Sequence, residues 1–251
     1  MANSDRKIEI VNRLSEDRVT TVEELAAQFF VTPSTIRRDL LSLEEQGVVK
    51  RTHGGALLNK TIATYNYLYK SNHFSKQKEA IAKLAASLIK DDDVVALNTS
   101  TITDRIAKYI TAKNVTVFTN SLEVINTLKD KKDIVLMDMG GMYYNVHHSF
   151  EGNLTNDAFS RFNYRISFIG ANGLDEKYGI TTKTEIEAFT KQTIINNSIV
   201  SVVVAESEKF GKTFKNRVFP LDKVSYIITD DKISKDQLEE FKNKYKILIA
   251  S

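Results

Sequence analysis

The sequence contains no cysteine, which excludes disulfides and thiolate-held metal. Long apolar runs are also missing. Stretches such as Val202 to Ala205 are too short to span a bilayer, and the N-terminus has no apolar signal core. A cytoplasmic protein with no membrane contact is therefore expected. A large excess of one charge sign is missing as well: the 251 residues carry a net +3, so the chain is not a basic nucleic-acid coat. Residues 1–60 hold nine Lys/Arg against nine Asp/Glu, so any affinity for a polyanion must come from local clustering. The stretch from Leu57 to Phe74 lacks proline and glycine yet carries Tyr65, Tyr67, Tyr69 and Phe74. Disordered linkers are seldom so aromatic, so a partly ordered connector is expected there.

Two domains are the natural expectation at this length. In the first 60 residues, Ile8, Val11 and Leu14 mark one amphipathic helix within Ser4–Ser15, and Val19-Thr20-Thr21 suffices for a short strand. Thr21 and Glu24 have capping-box spacing ahead of a second helix with Val22, Leu25, Ala26 and Phe29 on its buried side. Only Phe30-Val31 separates that helix from Thr32-Pro33, a good cap and first-turn pair for a third. Ile36, Leu40 and Leu43 form its apolar stripe, and Gly47 is placed to end it. Ser34, Thr35, Arg37 and Arg38 lie off the stripe near the leading end. A basic extended run follows, with Lys50 and Arg51, then His53 and a bend at Gly54-Gly55. Three short helices, a small strand and a basic hairpin make a winged helix-turn-helix. The major groove admits one such helix, and arginines at its tip reach base edges or phosphates. The acidic residues Glu23, Glu24, Glu44 and Glu45 are expected elsewhere than the basic face. Double-stranded operator DNA is the expected partner, bound by a homo-oligomer, dimer or tetramer, because such modules read paired half-sites.

The order Thr32-x-x-Thr35-Ile36-Arg37-Arg38-Asp39-Leu40, then Leu43-Glu44, Gly47, Arg51 and His53-Gly54-Gly55-Ala56, closely resembles the signature of DeoR-type bacterial transcriptional regulators. The resemblance implies a repressor with an N-terminal winged helix. It also implies a C-terminal sugar-phosphate-sensing domain related in fold to ribose-5-phosphate isomerase.

From Ser75 onward, short apolar runs alternate with helical segments. Strands are expected at Val94–Leu97, Val115–Phe118, Ile134–Met137, Ile166–Ile169, Ile199–Ala205, Val224–Thr229 and Lys246–Ile249. Helices are expected at Ser75–Lys90, Thr101–Ile110, Leu122–Leu128, Leu154–Arg161, Glu185–Asn196 and Ser234–Lys244. This is an α/β pattern, a largely parallel sheet flanked by helices. The expected division is 1–60 for DNA binding, 61–74 for the connector, and 75–251 for effector binding and oligomerisation.

In such a sheet a ligand lies outside the carboxyl ends of the strands. The segments there are Asn98-Thr99-Ser100-Thr101 with Thr103, Thr119-Asn120-Ser121, Gly140-Gly141, Gly170-x-Asn172 and Glu206 with Lys209. Hydroxyls and helix-start N–H groups, at Thr101 and Ser121, suit a phosphate, and Lys209 supplies a counter-charge. A phosphorylated sugar or polyol is the expected effector. Thr119-Asn120-Ser121, Gly140-Gly141, Ser149-Phe150-x-Gly152, Gly170-x-x-Gly173, Gly179-x-Thr181 and Lys209-Phe210-Gly211 also resemble the effector domain of these regulators. Two places depart from that pattern. Asn98 to Thr103 stands where the family usually reads Asp-Ser-Gly-Thr-Thr-Thr, and Glu206 stands where aspartate is usual.

His147-His148 has no carboxylate at ligand spacing and is read as a loop pair, so no metal and no cofactor is expected. Gly140-Gly141 lacks the third spaced glycine of a dinucleotide site. The competing function is a sugar-phosphate isomerase-like enzyme with an accessory DNA-binding domain, with Asp175, Glu187 or Glu206 as general base. The winged helix argues against it, and no catalytic residue is expected.

Overall fold

A capping box starts the first helix whose bounds are defined. The computed structural model describes residues 6–7, 10–11, 13–14, 20–45, 49–52, 54–58, 75–145 and 147–251. The chain separates into two units, residues 1–73 and 74–251. The expected features at Ile8, Val19, Gly47, His53 and Lys60, and in the connector 61–74, lie outside the described residues.

In the first unit, Arg6, Lys7, Ile10, Val11, Arg13 and Leu14 are helical. β1 (Thr20–Thr21) leads into α1 (Val22–Phe29). The Thr21 hydroxyl accepts from the Glu24 N–H, and the Glu24 carboxylate accepts from the Thr21 N–H at 2.8 Å. α1 ends at Phe30, which is left-handed (φ 53°). α2 (Pro33–Glu45) follows, then the hairpin of β2 (Val49–Thr52) and β3 (Gly55–Leu58), turned at Gly54 with φ +89°. β3 lies between β1 and β2 and is antiparallel to both. Ile10, Val11, Leu14, Leu25, Ile36, Leu40, Leu43, Val49 and Ala56 form one core. Here the apolar stripes of the sequence meet as their spacing requires. One buried group is ionic: Asp39 on α2 accepts from Arg6 at 2.6 Å.

The second unit is built on a seven-stranded sheet, all parallel. Its strands are β4 (Val94–Leu97), β5 (Val115–Thr119), β6 (Ile134–Asp138), β9 (Tyr164–Gly170), β12 (Ser198–Val204), β14 (Tyr226–Asp230) and β15 (Ile247–Ala250). The spatial order is β15-β14-β12-β9-β4-β5-β6. The chain builds outward from β4 to β6, returns to place β9 beside β4, and then builds outward the other way. The order therefore reverses between β4 and β9.

Both faces are covered, which is why the strands read as continuous apolar runs. Val95, Leu97, Val202 and Val204 point into a core with α3 (Ser75–Ala86), α4 (Thr103–Tyr109) and α5 (Leu122–Leu128). Ala96 and Val203 point the other way, into a core with α6 (Asn153–Ser160), α7 (Glu185–Asn196) and α8 (Lys235–Lys242). The period-two alternation of a strand thus serves two cores at once.

Two small antiparallel arrangements were not expected from the sequence. One is the hairpin β7 (Met142–Tyr144) and β8 (Ser149–Glu151). The other is β10 (Gly173–Asp175), β11 (Gly179–Thr182) and β13 (Asn216–Arg217). Element ends also shift. α3 stops at Ala86 rather than Lys90, α4 starts at Thr103 rather than Thr101, and β14 starts at Tyr226 after a 3-10 turn at Leu221–Lys223.

Candidate functional site

At the reversal between β4 and β9, backbone and side chains knit the strand ends into one floor. Asn98, just past β4, accepts from the Gly170 N–H at 3.2 Å through Oδ1. Gly170 has to be glycine, because a Cβ there would lie 2.6 Å from the Cβ of Ser100. Ser100 Oγ accepts from the Thr103 N–H at 3.0 Å, and the Thr103 hydroxyl donates to Asn98 O, so the 98–103 segment is a closed turn. Asn120 reaches across from β5: its Oδ1 accepts from the Thr99 N–H at 3.1 Å and its Nδ2 donates to Phe150 O at 2.9 Å. Thr119 donates to Leu97 O at 2.7 Å, and Ser121 caps α5 while donating to Asp104 at 2.6 Å. Beyond β6, Gly140 and Gly141 both have positive φ, and Gly140 O accepts from the Thr155 hydroxyl at 2.6 Å.

Two networks of mixed charge adjoin this floor. On one side Lys78 of α3 meets Glu206 at 3.1 Å, both buried. Burial pushes the Lys78 amine down from its usual value, Glu206 holds it up, and Arg105 and Lys209 depress it further. Arg105 in turn donates to Thr101 O at 2.8 Å and pairs with Glu79 at 3.2 Å. Lys78, Arg105 and Lys209 are thus within electrostatic reach of one another, each beside a carboxylate, and Arg105 ties them to the 98–103 turn.

On the other side lies a second network. Lys191, on α7 and 4% exposed, donates to the Thr182 hydroxyl at 3.3 Å. The single Thr182 hydroxyl proton is shared between Asn172 Oδ1 at 2.7 Å and Glu187 at 2.9 Å, and Glu187 also accepts from the Thr184 hydroxyl at 3.0 Å. His147 Nδ1 sits 2.8 Å from Glu151, which also accepts from Ser149 at 2.8 Å, and His147 Nε2 is 3.9 Å from Glu187. Burial alone would raise Glu187, but Lys191, His147 and the two threonine hydroxyls outweigh it and bring it down to about 2. Lys191 is lowered by burial against the pull of Glu187 and Glu151. The two networks join at the floor, where the Thr99 hydroxyl donates to His147 O at 3.2 Å.

The geometry places Asn98, Thr99, Ser100, Thr103, Thr119, Asn120, Ser121, Gly170, Asn172 and Glu206 at or beyond the carboxyl ends of the strands. It also revises several roles. Thr101 is not at a helix start, because Ile102 is the cap of α4 and Thr101 belongs to the turn before it. Lys209 already meets Glu208 at 2.5 Å on the same 3-10 turn, so its charge is partly satisfied. Gly152 starts α6 after β8, with φ +108°, rather than following a strand of the parallel sheet. The two histidines do have carboxylates in reach: Glu151 for His147, and Glu123 for His148 at 2.9 Å. Lys78, His147, Glu151 and Lys191 were not picked out as site residues in the sequence. The one local signal was the Thr184-x-x-Glu187 capping box, which holds the first turn of α7 and with it Glu187.

In the first unit Ser34, Arg37, Arg38, Lys50 and Arg51 are exposed, and Thr35 is partly so. No acidic residue occupies the first turn of α2, so nothing there opposes an anion. Glu23 and Glu44 are closer to the basic face than expected: Arg37 lies 3.6 Å from Glu23, and Arg51 lies 3.8 Å from Glu44. Such exposed pairs hold their partners weakly.

Residues 73–231 match the DeoR C terminal sensor domain, and residues 6–62 match the DeoR-like helix-turn-helix domain. The chain belongs to the DeoR family. It is 32% identical over 233 residues to the HTH-type transcriptional repressor GlcR of Bacillus subtilis (strain 168), covering 92% of this chain and 89% of that one. It is 32% identical over 254 residues to the lactose phosphotransferase system repressor of Lactococcus lactis subsp. lactis, covering 99% of each. A putative aga operon transcriptional repressor of Escherichia coli O157:H7 is 29% identical over 240 residues, covering 94% of this chain and 89% of that one. Among solved structures, ribose 5-phosphate isomerase A from Methanocaldococcus jannaschii overlaps 54% of each chain with a TM-score of 0.39 at 16% identity. The three sequence relatives are named as repressors, and the match to each runs along nearly the whole of both chains.

Proposed function

We propose that this DeoR family protein represses genes of carbohydrate metabolism and is released from its operator by a phosphorylated sugar or polyol. The effector lies at the carboxyl ends of β4 and β9, the point where a doubly covered parallel sheet opens a crevice. The observation that carries the reading is the cluster of hydroxyls, amides and cations that the strand ends bring together. In this reading Lys78, Arg105 and Lys209 attract the phosphate, beside the hydroxyls of the 98–103 turn. Glu151, Glu187, Lys191, His147 and Asn172 offer fixed donors and acceptors suited to a polyol.

The working unit is a homo-oligomer, dimer or tetramer, in the cytoplasm. Residues 1–60 bind double-stranded DNA through Ser34, Thr35, Arg37, Arg38, Lys50, Arg51 and His53, residues 61–74 connect, and residues 75–251 sense and associate. No catalysis is assigned. Of the candidate bases, Glu187 is held down at about 2, far from the range in which a general base works, and the DNA-binding unit belongs to a regulator.

The test is a thermal-shift panel of hexose, pentose and polyol phosphates beside their unphosphorylated forms, followed by operator release. Stabilisation by one phosphorylated compound and not by its parent sugar supports the reading. A panel in which no phosphate stabilises the protein refutes it.

A further inference from the structure

We infer that Phe30 is a DNA-contacting residue whose ring packs on the apolar surface of the operator, at the edge of the half-site entered by α2. The inference rests on the DNA-binding reading of the first unit and adds a contact that charge alone does not supply. Phe30 is 94% exposed, while its neighbours Phe29 and Val31 pack against the core, so the ring has no part in holding the unit together. Its backbone is left-handed, with φ 53° and ψ 44°, and its N–H closes α1 onto Ala26 O and Ala27 O. Glycine or asparagine meets that geometry at least cost, and a bulky side chain is unfavourable there. In the free protein the ring is therefore costly twice, once as strain and once as exposed apolar surface.

Its place makes sense of that cost. Phe30 precedes Thr32, whose hydroxyl lies 2.8 Å from that of Ser34 and 3.0 Å from that of Thr35 at the tip of α2. In helix-turn-helix docking the leading end of the second helix meets the base edges. A ring two residues ahead of that tip stands at the same groove edge. The apolar surfaces offered there are a thymine methyl and the deoxyribose faces.

The experiment uses the full chain and duplexes that it selects from a randomised pool. Phe30→Gly and Phe30→Asn are expected to melt at a higher temperature than the parent. They should bind the selected duplex about tenfold more weakly, with an unchanged salt dependence because no charge is lost. Deoxyuridine in place of thymine at the outer edge assigns the methyl if it weakens the parent but not Phe30→Gly. It assigns the deoxyribose if it weakens neither. Parent-like binding by Phe30→Gly overturns the inference, as does weaker binding that comes with a lower melting temperature. The Arg37→Ala/Arg38→Ala variant separates the two readings. Loss of binding in it, beside parent-like binding by Phe30→Gly, sinks only the role of Phe30. A parent that selects no duplex sinks the DNA-binding reading and this role together.

Discussion

Lys191 is buried with two carboxylates, and its removal exposes what the network does. Lys191→Met removes the buried cation whose field favours the ionised Glu187 and Glu151, and is expected to destabilise the protein. Chemical denaturation should show that loss in the single variant and a smaller one in Glu187→Gln/Lys191→Met. The same group gives the protein a pH signature. The folded-state value of Glu187, about 2, is below its unfolded value near 4.5. Its contribution is thus fully present above about pH 4.5 and is lost as pH falls toward 2. Glu187→Gln should flatten the stability profile within that window and nowhere else. A profile as steep as the parent's would mean that other carboxylates govern acid unfolding. Gly170 makes a second residue-scale case. Its Cβ would meet only the Cβ and Oγ of Ser100, so Gly170→Ala is expected to cost about 1–3 kcal/mol. Ser100→Gly removes both obstructing atoms at the cost of the turn's hydrogen bond to Thr103, so Gly170→Ala should cost less in that background than in the parent, and the non-additivity of the cycle is the measurement.

Among elements, α2 and the β2–β3 hairpin divide the work on DNA. Arg37→Ala or Arg38→Ala should each cost about 1–3 kcal/mol of operator affinity if a bidentate base contact is lost, and relax specificity there. Lys50→Ala should weaken all duplexes alike and lower the salt slope by about one. Mobility shifts across a salt series distinguish them, and an unaffected arginine pair would remove α2 from the groove. These elements were legible because each carries its own signal. Thr21 and Glu24 announce α1, Pro33 opens α2, and Ile36, Leu40 and Leu43 set its buried face. The parallel strands were legible for a similar reason, since burial on both faces leaves uninterrupted apolar runs. β7 and β8 were not, because Met142, Tyr143 and Tyr144 are all exposed and no alternation marks them. That hairpin carries His147 to the site, so half of the second network was hidden with it. Its other half comes from α7 and β11, and only folding makes Glu151 and Lys191 neighbours. Asp39 shows the same limit, since nothing near it in the chain points to Arg6, 33 residues away.

For the whole molecule, effector binding and operator binding are one coupled equilibrium. An effector releases DNA only by binding the DNA-incompetent arrangement better, since equal affinity for both arrangements shifts nothing. A coupling of about 1–3 kcal/mol is ordinary for such a switch, roughly 5- to 150-fold in affinity. The same factor must appear in reverse: saturating operator duplex has to raise the dissociation constant of the effector as much as saturating effector raises that of the operator. Residues 75–251 alone contain every group assigned to the effector and none of those assigned to DNA. That fragment should therefore bind the phosphorylated compound at least as tightly as the free full chain, and operator duplex should leave its affinity unchanged. Calorimetric titrations of the fragment, of the full chain, and of the full chain with duplex supply the three constants. Equal effector affinity in all three would show that the effector does not control operator binding, even with the crevice occupied. A lower affinity in the duplex-bound chain alone, by the factor measured for operator release, is the expected result.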